Sequence, residues 1–239
     1  MDWTDYAIIA FAVFSAASLQ ASIGFGMGML AAPVIALVDP LLLPASIILL
    51  ALMVTLMVTI RERSHIDLRG TGWALTGRIP GSIVGAWLVV SLPGNALSWM
   101  VAVTVLLGVV LALCGWSPLP KRVNLIIAGA ASGVMGTATS IGGAPMALIW
   151  QGQQGPRLRG TMNAFFLVGS AVSLLTLAVA GAISGHVLVL VGWMIPAAVA
   201  GYWVSRYINR LLTRKRLRLV ALGASSFGAA LLAGQMLFS

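Results

Sequence analysis

The sequence predicts an all-α, polytopic membrane protein built as two inverted repeats, each a glycine-broken helical hairpin followed by three transmembrane helices. Composition gives the first reason: 60% of the 239 residues are hydrophobic and only 8% are charged, whereas a soluble domain carries about a quarter charged residues to face water. The second is run length. The apolar residues fall into runs of roughly 17 to 30, the span needed to cross a hydrocarbon layer about 30 Å thick. The third is where the basic residues stand. The formal net charge of +9 is confined almost entirely to short segments between apolar runs, the pattern of the positive-inside rule.

The runs lie at 6–38, 44–60, 72–90, 97–115, 124–150, 162–180, 187–205 and 217–237. Runs two, three, four, six, seven and eight have the length of single crossings. Run one is too long for one ordinary crossing, and it is interrupted by Gly24-Phe25-Gly26-Met27-Gly28 and then Pro33. Run five is interrupted by Ser140-Ile141-Gly142-Gly143-Ala144-Pro145. Glycine and proline at this density break a helix, and broken backbone at membrane depth persists only where protein or a watery cavity covers it. Both runs are therefore expected to be hairpins. Tight helix packing through small residues is the alternative, and it suits Gly77, Gly81 and Gly85 of run three better, because they recur every four residues.

The two halves repeat. A single ungapped shift carries Gly26 onto Gly142, Pro40 onto Pro156, Ile79-Pro80 onto Ile195-Pro196, Gly85 onto Gly201 and Trp87 onto Trp203. The repeats are expected over 1–119 and 120–239. Charge then sets their orientation. Arg61, Arg63 and Arg69 lie in loop 61–71, Lys121 and Arg122 in 116–123, and Arg157 and Arg159 in 151–160. Arg206, Arg210, Arg214, Lys215, Arg216 and Arg218 follow run seven. Hairpins at runs one and five bring all four groups to one face, and leave the uncharged loops 90–96 and 181–186 with both termini on the other. Continuous single spans would divide the basic loops between the faces. The chain is thus expected in the inner membrane with both termini on the non-cytoplasmic side. Three crossings after each hairpin make the halves antiparallel.

Several function classes are excluded. No basic stripe interleaved with aromatics is present to read a nucleic acid. Cys114 is the only cysteine, so neither an intrachain disulfide nor a cysteine metal cluster can form. No P-loop motif occurs. The five carboxylates, Asp2, Asp5, Asp39, Glu62 and Asp67, fall at the termini or in loops, so no carboxylate relay is expected inside the membrane. An intramembrane enzyme would need a nucleophile with a base, or acidic metal ligands, at membrane depth, and Ser140 has no such partner. The acidic start Met1-Asp2-Trp3-Thr4-Asp5 does not suit a cleaved targeting segment. No enzyme activity, metal or cofactor is expected.

The two glycine-rich segments, Gly24 to Pro33 and Gly142 to Pro145, are each followed by a proline-containing turn and a helix start, Pro40 to Ala45 and Pro156-Arg157-Leu158-Arg159-Gly160-Thr161. In this arrangement the chain resembles the sulfite exporter TauE/SafE family of membrane transporters over nearly its whole length. Met27 and Ala144 depart from the family's usual pattern. The resemblance implies transport of sulfur-containing or organic anions such as sulfite, sulfoacetate or other sulfonates.

Inverted-repeat transporters hold substrate near the midplane, where broken helices expose their ends. A half-helix N-terminus offers free N–H groups and partial positive charge to an anion. The expected binding residues are therefore Gly24, Gly26 and Gly28 at the first break and Gly142 and Gly143 at the second, with Gln20, Ser22, Thr139, Ser140 and Asn163 as polar neighbours. For each hydroxyl the competing role is a bond to a carbonyl one turn back. For Thr161 and Asn163, at the start of run six, it is helix capping. Arg78 is the one cation well inside a run. It serves either as a binding group or as a snorkelling side chain reaching roughly 10 Å to the interface. Arg157 and Arg159 read as topology determinants rather than substrate gates, and His65 and His186 as solvated loop residues. The expected partners are a small anion and the lipid bilayer, with homodimerisation left open. A passive anion channel and a non-transporting membrane subunit share these features.

Overall fold

A computed structural model describes residues 2–113, 118–150, 152–153 and 155–211, together with the single positions 223, 230 and 234. Run eight apart from those three positions, Cys114, Arg214, Lys215, Arg216 and Arg218 lie outside the described residues. Nine α-helices are described: α1 (Trp3–Ile23), α2 (Met27–Val38), α3 (Ala45–Arg61), α4 (Leu68–Ser91), α5 (Gly94–Leu113), α6 (Arg122–Thr139), α7 (Gly143–Ile149), α8 (Gly155–Val179) and α9 (Gly185–Leu211). Four of them, α1, α4, α8 and α9, are long and apolar enough to cross a membrane, and α2, α3 and part of α5 form shorter apolar helices. The molecule is an all-helical, multi-pass membrane protein. Trp87, Trp193, Trp203 and Val179 project outward, each more than half exposed, as side chains with lipid for a solvent do.

Runs one and five both break where their glycines stand. α1 and α2 pack against each other, as do α6 and α7, so each broken run is a hairpin. The first break needs glycine for conformation. Gly24 caps α1 at φ +93° and Gly26 caps α2 at φ +118°, a left-handed region where a Cβ costs roughly 1–2 kcal/mol. The second break uses a serine there: Ser140 ends α6 at φ +65°. Two bonds hold it, its N–H to the Gly136 carbonyl at 3.0 Å and its Oγ to the Pro44 carbonyl at 2.9 Å.

The glycine row of run three is a packing seam. A Cβ on Gly77 or Gly81 would overlap the α6 backbone around Ile126 and Ala130, and one on Gly85 would lie 2.8 Å from the Thr137 Cβ. Gly129 and Gly133 of α6 return the contact onto Ala74 and Arg78, so α4 and α6 meet backbone to backbone. Several helix pairings have counterparts when the halves are exchanged, although the α2–α3 contact is not matched by an equal one between α7 and α8. α4 packs on α6 as α9 packs on α1, α3 packs on α8, and the α4–α8 contact has its counterpart in α9–α3.

Helix boundaries differ from the hydropathy runs at their basic ends. α8 starts at Gly155 rather than 162, with Pro156 in its first turn where the missing N–H does no harm. Charged residues end a hydropathy run at the membrane edge, whereas the helix continues through them. Thr161 and Asn163 are consequently helix-interior residues and not caps.

Candidate functional site

The two breaks touch. A Cβ on Gly28 would overlap the Ser140 carbonyl, and one on Gly143 would lie 3.0 Å from the Phe25 ring. Around this contact is a cavity of about 40 Å³ lined by residues of α1, α2, α3, α4, α6, α7 and α8. A single water needs roughly 10–15 Å³ on this measure, so the space fits an ion of a few heavy atoms.

Of the expected binding residues, the cavity brings together Gln20, Gly26, Gly28, Arg78, Ser140, Gly142 and Gly143. Gly24, Ser22, Thr139 and Asn163 are not in its lining. Each of the polar side chains among these four has another place. Thr139 Oγ1 donates to the Met135 carbonyl one turn back at 2.6 Å and accepts from the Ile141 N–H at 3.3 Å, which fastens the second break. Asn163 Nδ2 donates to the Arg159 carbonyl at 2.8 Å, and its Oδ1 accepts from Gln20 Nε2 at 3.2 Å. Ser22 is buried, with no hydrogen-bond partner for its Oγ among the described residues.

Arg78 is the decisive side chain. It does not snorkel: only 3% of it is exposed, and its guanidinium turns inward to the second break. Nη1 donates to the carbonyl of Ser132 and, at 2.7 Å, to Ser132 Oγ. The guanidinium carbon lies 5.5 Å and 5.8 Å from the ring centroids of Phe165 and Phe166. Nε has no acceptor among the described residues. Three glycines make the slot. A Cβ on Gly136, Gly142 or Gly169 would come within 2.9 Å of a guanidinium nitrogen. Gly142 has φ −92°, so here glycine provides room rather than unusual backbone. The two ion pairs among the described residues both go to Glu62, leaving the Arg78 charge without a carboxylate.

Helix ends complete the lining. In the first turn of α2 the Met27 N–H is taken by Gln20 Oε1 at 3.2 Å, leaving the amides of Gly28 and Met29, which have no acceptor inside a helix. α7 contributes less than a symmetric pair of half-helices would. It has seven residues, and Pro145 removes one first-turn N–H. Positive character at the site therefore comes from Arg78 on one side and the α2 end on the other.

A family model described as sulfite exporter TauE/SafE matches residues 9–232. The chain belongs to this family. No curated protein and no solved structure matches it. Membership makes the protein a member of a membrane transporter family, the context in which the buried arginine of this TauE/SafE protein stands. Sequence reasoning missed Ser132, Gly136, Gly169, Phe166 and Ser170. Their residue types are those of ordinary helix packing, and only Arg78 gave a signal that neighbours of this kind were needed. His65 and His186 are exposed as expected. Glu62, taken as a loop carboxylate, is instead 7% exposed at the end of α3.

Proposed function

We propose that the protein is a secondary transporter of a small sulfur oxyanion, sulfite or a simple sulfonate, held beside Arg78 between the two breaks. The observation that carries this reading is the buried Arg78 guanidinium, whose partners among the described residues are all neutral. An uncompensated charge in a low-dielectric interior is costly, and an anion bound in the adjoining cavity offsets that cost. A sulfur oxyanion suits the place because its oxygens accept from several N–H donors at once, and the donors at hand are Arg78 and the first-turn amides of α2. The volume favours sulfite over sulfoacetate.

The same reading includes an inverted repeat with its boundary near 119–120, and an inner-membrane orientation with the basic loops cytoplasmic. The matched contacts α4–α6 with α9–α1 and α4–α8 with α9–α3 support the first, and the charge segregation supports the second. In a background without Cys114, cysteines introduced at His65 and Ser184 are expected to react with an impermeant thiol reagent from opposite sides. Reaction from the same side contradicts the orientation.

Proteoliposome uptake of labelled sulfite, competed by sulfonates and carboxylates, tests the substrate. The expected outcome is saturable uptake with counter-transport, inhibited by methanesulfonate more than by acetate. Non-saturable flux without counter-transport points to a channel, and absence of flux contradicts the proposal.

A further inference from the structure

About two helical turns from the cavity, three N–H donors from two arginines converge on one oxygen. Arg159 donates from Nε at 3.2 Å and Nη2 at 3.1 Å, and Arg61 from Nε at 3.2 Å, all to Glu62 Oε1. Arg61 stands at the end of α3 and Arg159 in the first turns of α8, so the cluster joins the two halves of the chain. Arg61 also reaches the Ala21 carbonyl at 3.2 Å and lies over the Tyr202 ring at 5.2 Å. Both arginine side chains keep about a fifth of their surface exposed, 20% and 19%, whereas that of Glu62 keeps 9%.

We propose that Arg61 and Arg159 form an outer oxyanion site, filled in this state by the chain's own Glu62 carboxylate, which the transported anion displaces. The inference rests on reading the chain as an anion transporter. A carboxylate oxygen accepting charge-assisted bonds from guanidinium groups presents what one oxygen of a sulfite or sulfonate would present. Glu62 is a poor permanent occupant, because it caps the C-terminus of α3, where the helix dipole disfavours a negative charge. The arginines hold it there, and once displaced it has no reason to stay buried. The outer site also communicates with the cavity. The Arg159 carbonyl accepts from Asn163, the Asn163 oxygen from Gln20, and the Gln20 oxygen from the Met27 N–H at the cavity wall. From Arg159 to the cavity residue Phe166 is seven residues of α8, or about 10 Å. An anion arriving at the arginine-bearing end thus meets a first site one short step from the second.

The experiment measures sulfite binding to the purified full chain in an Arg78→Gln background, so that failure of the central site cannot be confused with failure of the outer one. Adding Glu62→Gln removes the internal competitor, and is expected to tighten binding about ten-fold or more, as one charge-assisted hydrogen bond would. Adding Arg159→Gln to that double variant is expected to abolish the gain. Equal affinity with and without Glu62→Gln overturns the proposal. Should Glu62→Gln not fold, the wild-type chain serves: methanesulfonate is expected to slow phenylglyoxal modification of Arg159, read by peptide mass spectrometry, relative to chloride at equal ionic strength. Equal rates overturn it.

Discussion

Ser132 holds Arg78 and the second helix break with one hydroxyl. Its Oγ accepts from Arg78 Nη1 at 2.7 Å and donates its single proton to the Gly142 carbonyl at 2.6 Å. The position of the guanidinium is therefore tied to the geometry of the α6–α7 break, and a change in one is transmitted to the other.

Ser132→Ala separates them. It removes a hydrogen bond to a charged group, worth about 1.5–3 kcal/mol, and takes from the Gly142 carbonyl the bond that ties it to α6. The KM for sulfite is expected to rise by roughly ten-fold with the amount of inserted protein unchanged. A kcat loss at constant KM would place Ser132 outside the binding step.

Gly142→Ala puts a methyl group 2.8 Å from Arg78 Nη1 and 2.7 Å from the Ser132 carbonyl. Backbone at φ −92° tolerates alanine, so the cost is steric: the methyl displaces the guanidinium and the Ser132 carbonyl, and an initial-rate loss of about ten-fold or more is expected together with some loss of stability. Gly26→Ala, at φ +118°, is the contrasting case. There the penalty is conformational, about 1–2 kcal/mol, and thermal unfolding of the purified protein is expected to shift downward.

Gly81→Leu tests the α4–α6 seam. A Cβ at Gly81 already overlaps the Ala130 carbonyl, and overpacking of this kind costs about 1–3 kcal/mol or more. Lower thermal stability is expected, with an unaltered KM in whatever protein folds, because the seam shapes the bundle and does not touch the anion. An unchanged unfolding temperature would contradict the backbone-to-backbone contact.

The breaks were legible in the sequence because glycine and proline at that density leave a long apolar run no continuous alternative. The orientation of Arg78 was not legible. Snorkelling and inward burial begin from the same position on α4, and the choice depends on Ser132, Gly136 and Gly169 arriving from other helices. Capping, the competing role for Thr161 and Asn163, fails because Arg157 and Arg159 end the hydropathy run while the helix runs on. Glu62 looked like a solvated loop carboxylate because Arg159, its partner, lies far away in sequence. Hydropathy locates the membrane edge; the side chains that close the site are chosen by contacts between the two halves.

The kinetics of labelled-sulfite uptake by Arg78→Gln in proteoliposomes address the central claim most directly. With equal amounts of wild-type and variant protein reconstituted, the buried charge predicts a KM raised by roughly ten- to a hundred-fold, the equivalent of about 1.5–3 kcal/mol. An unchanged KM and rate would show that the arginine serves the fold alone, and the anion site would have to be sought elsewhere.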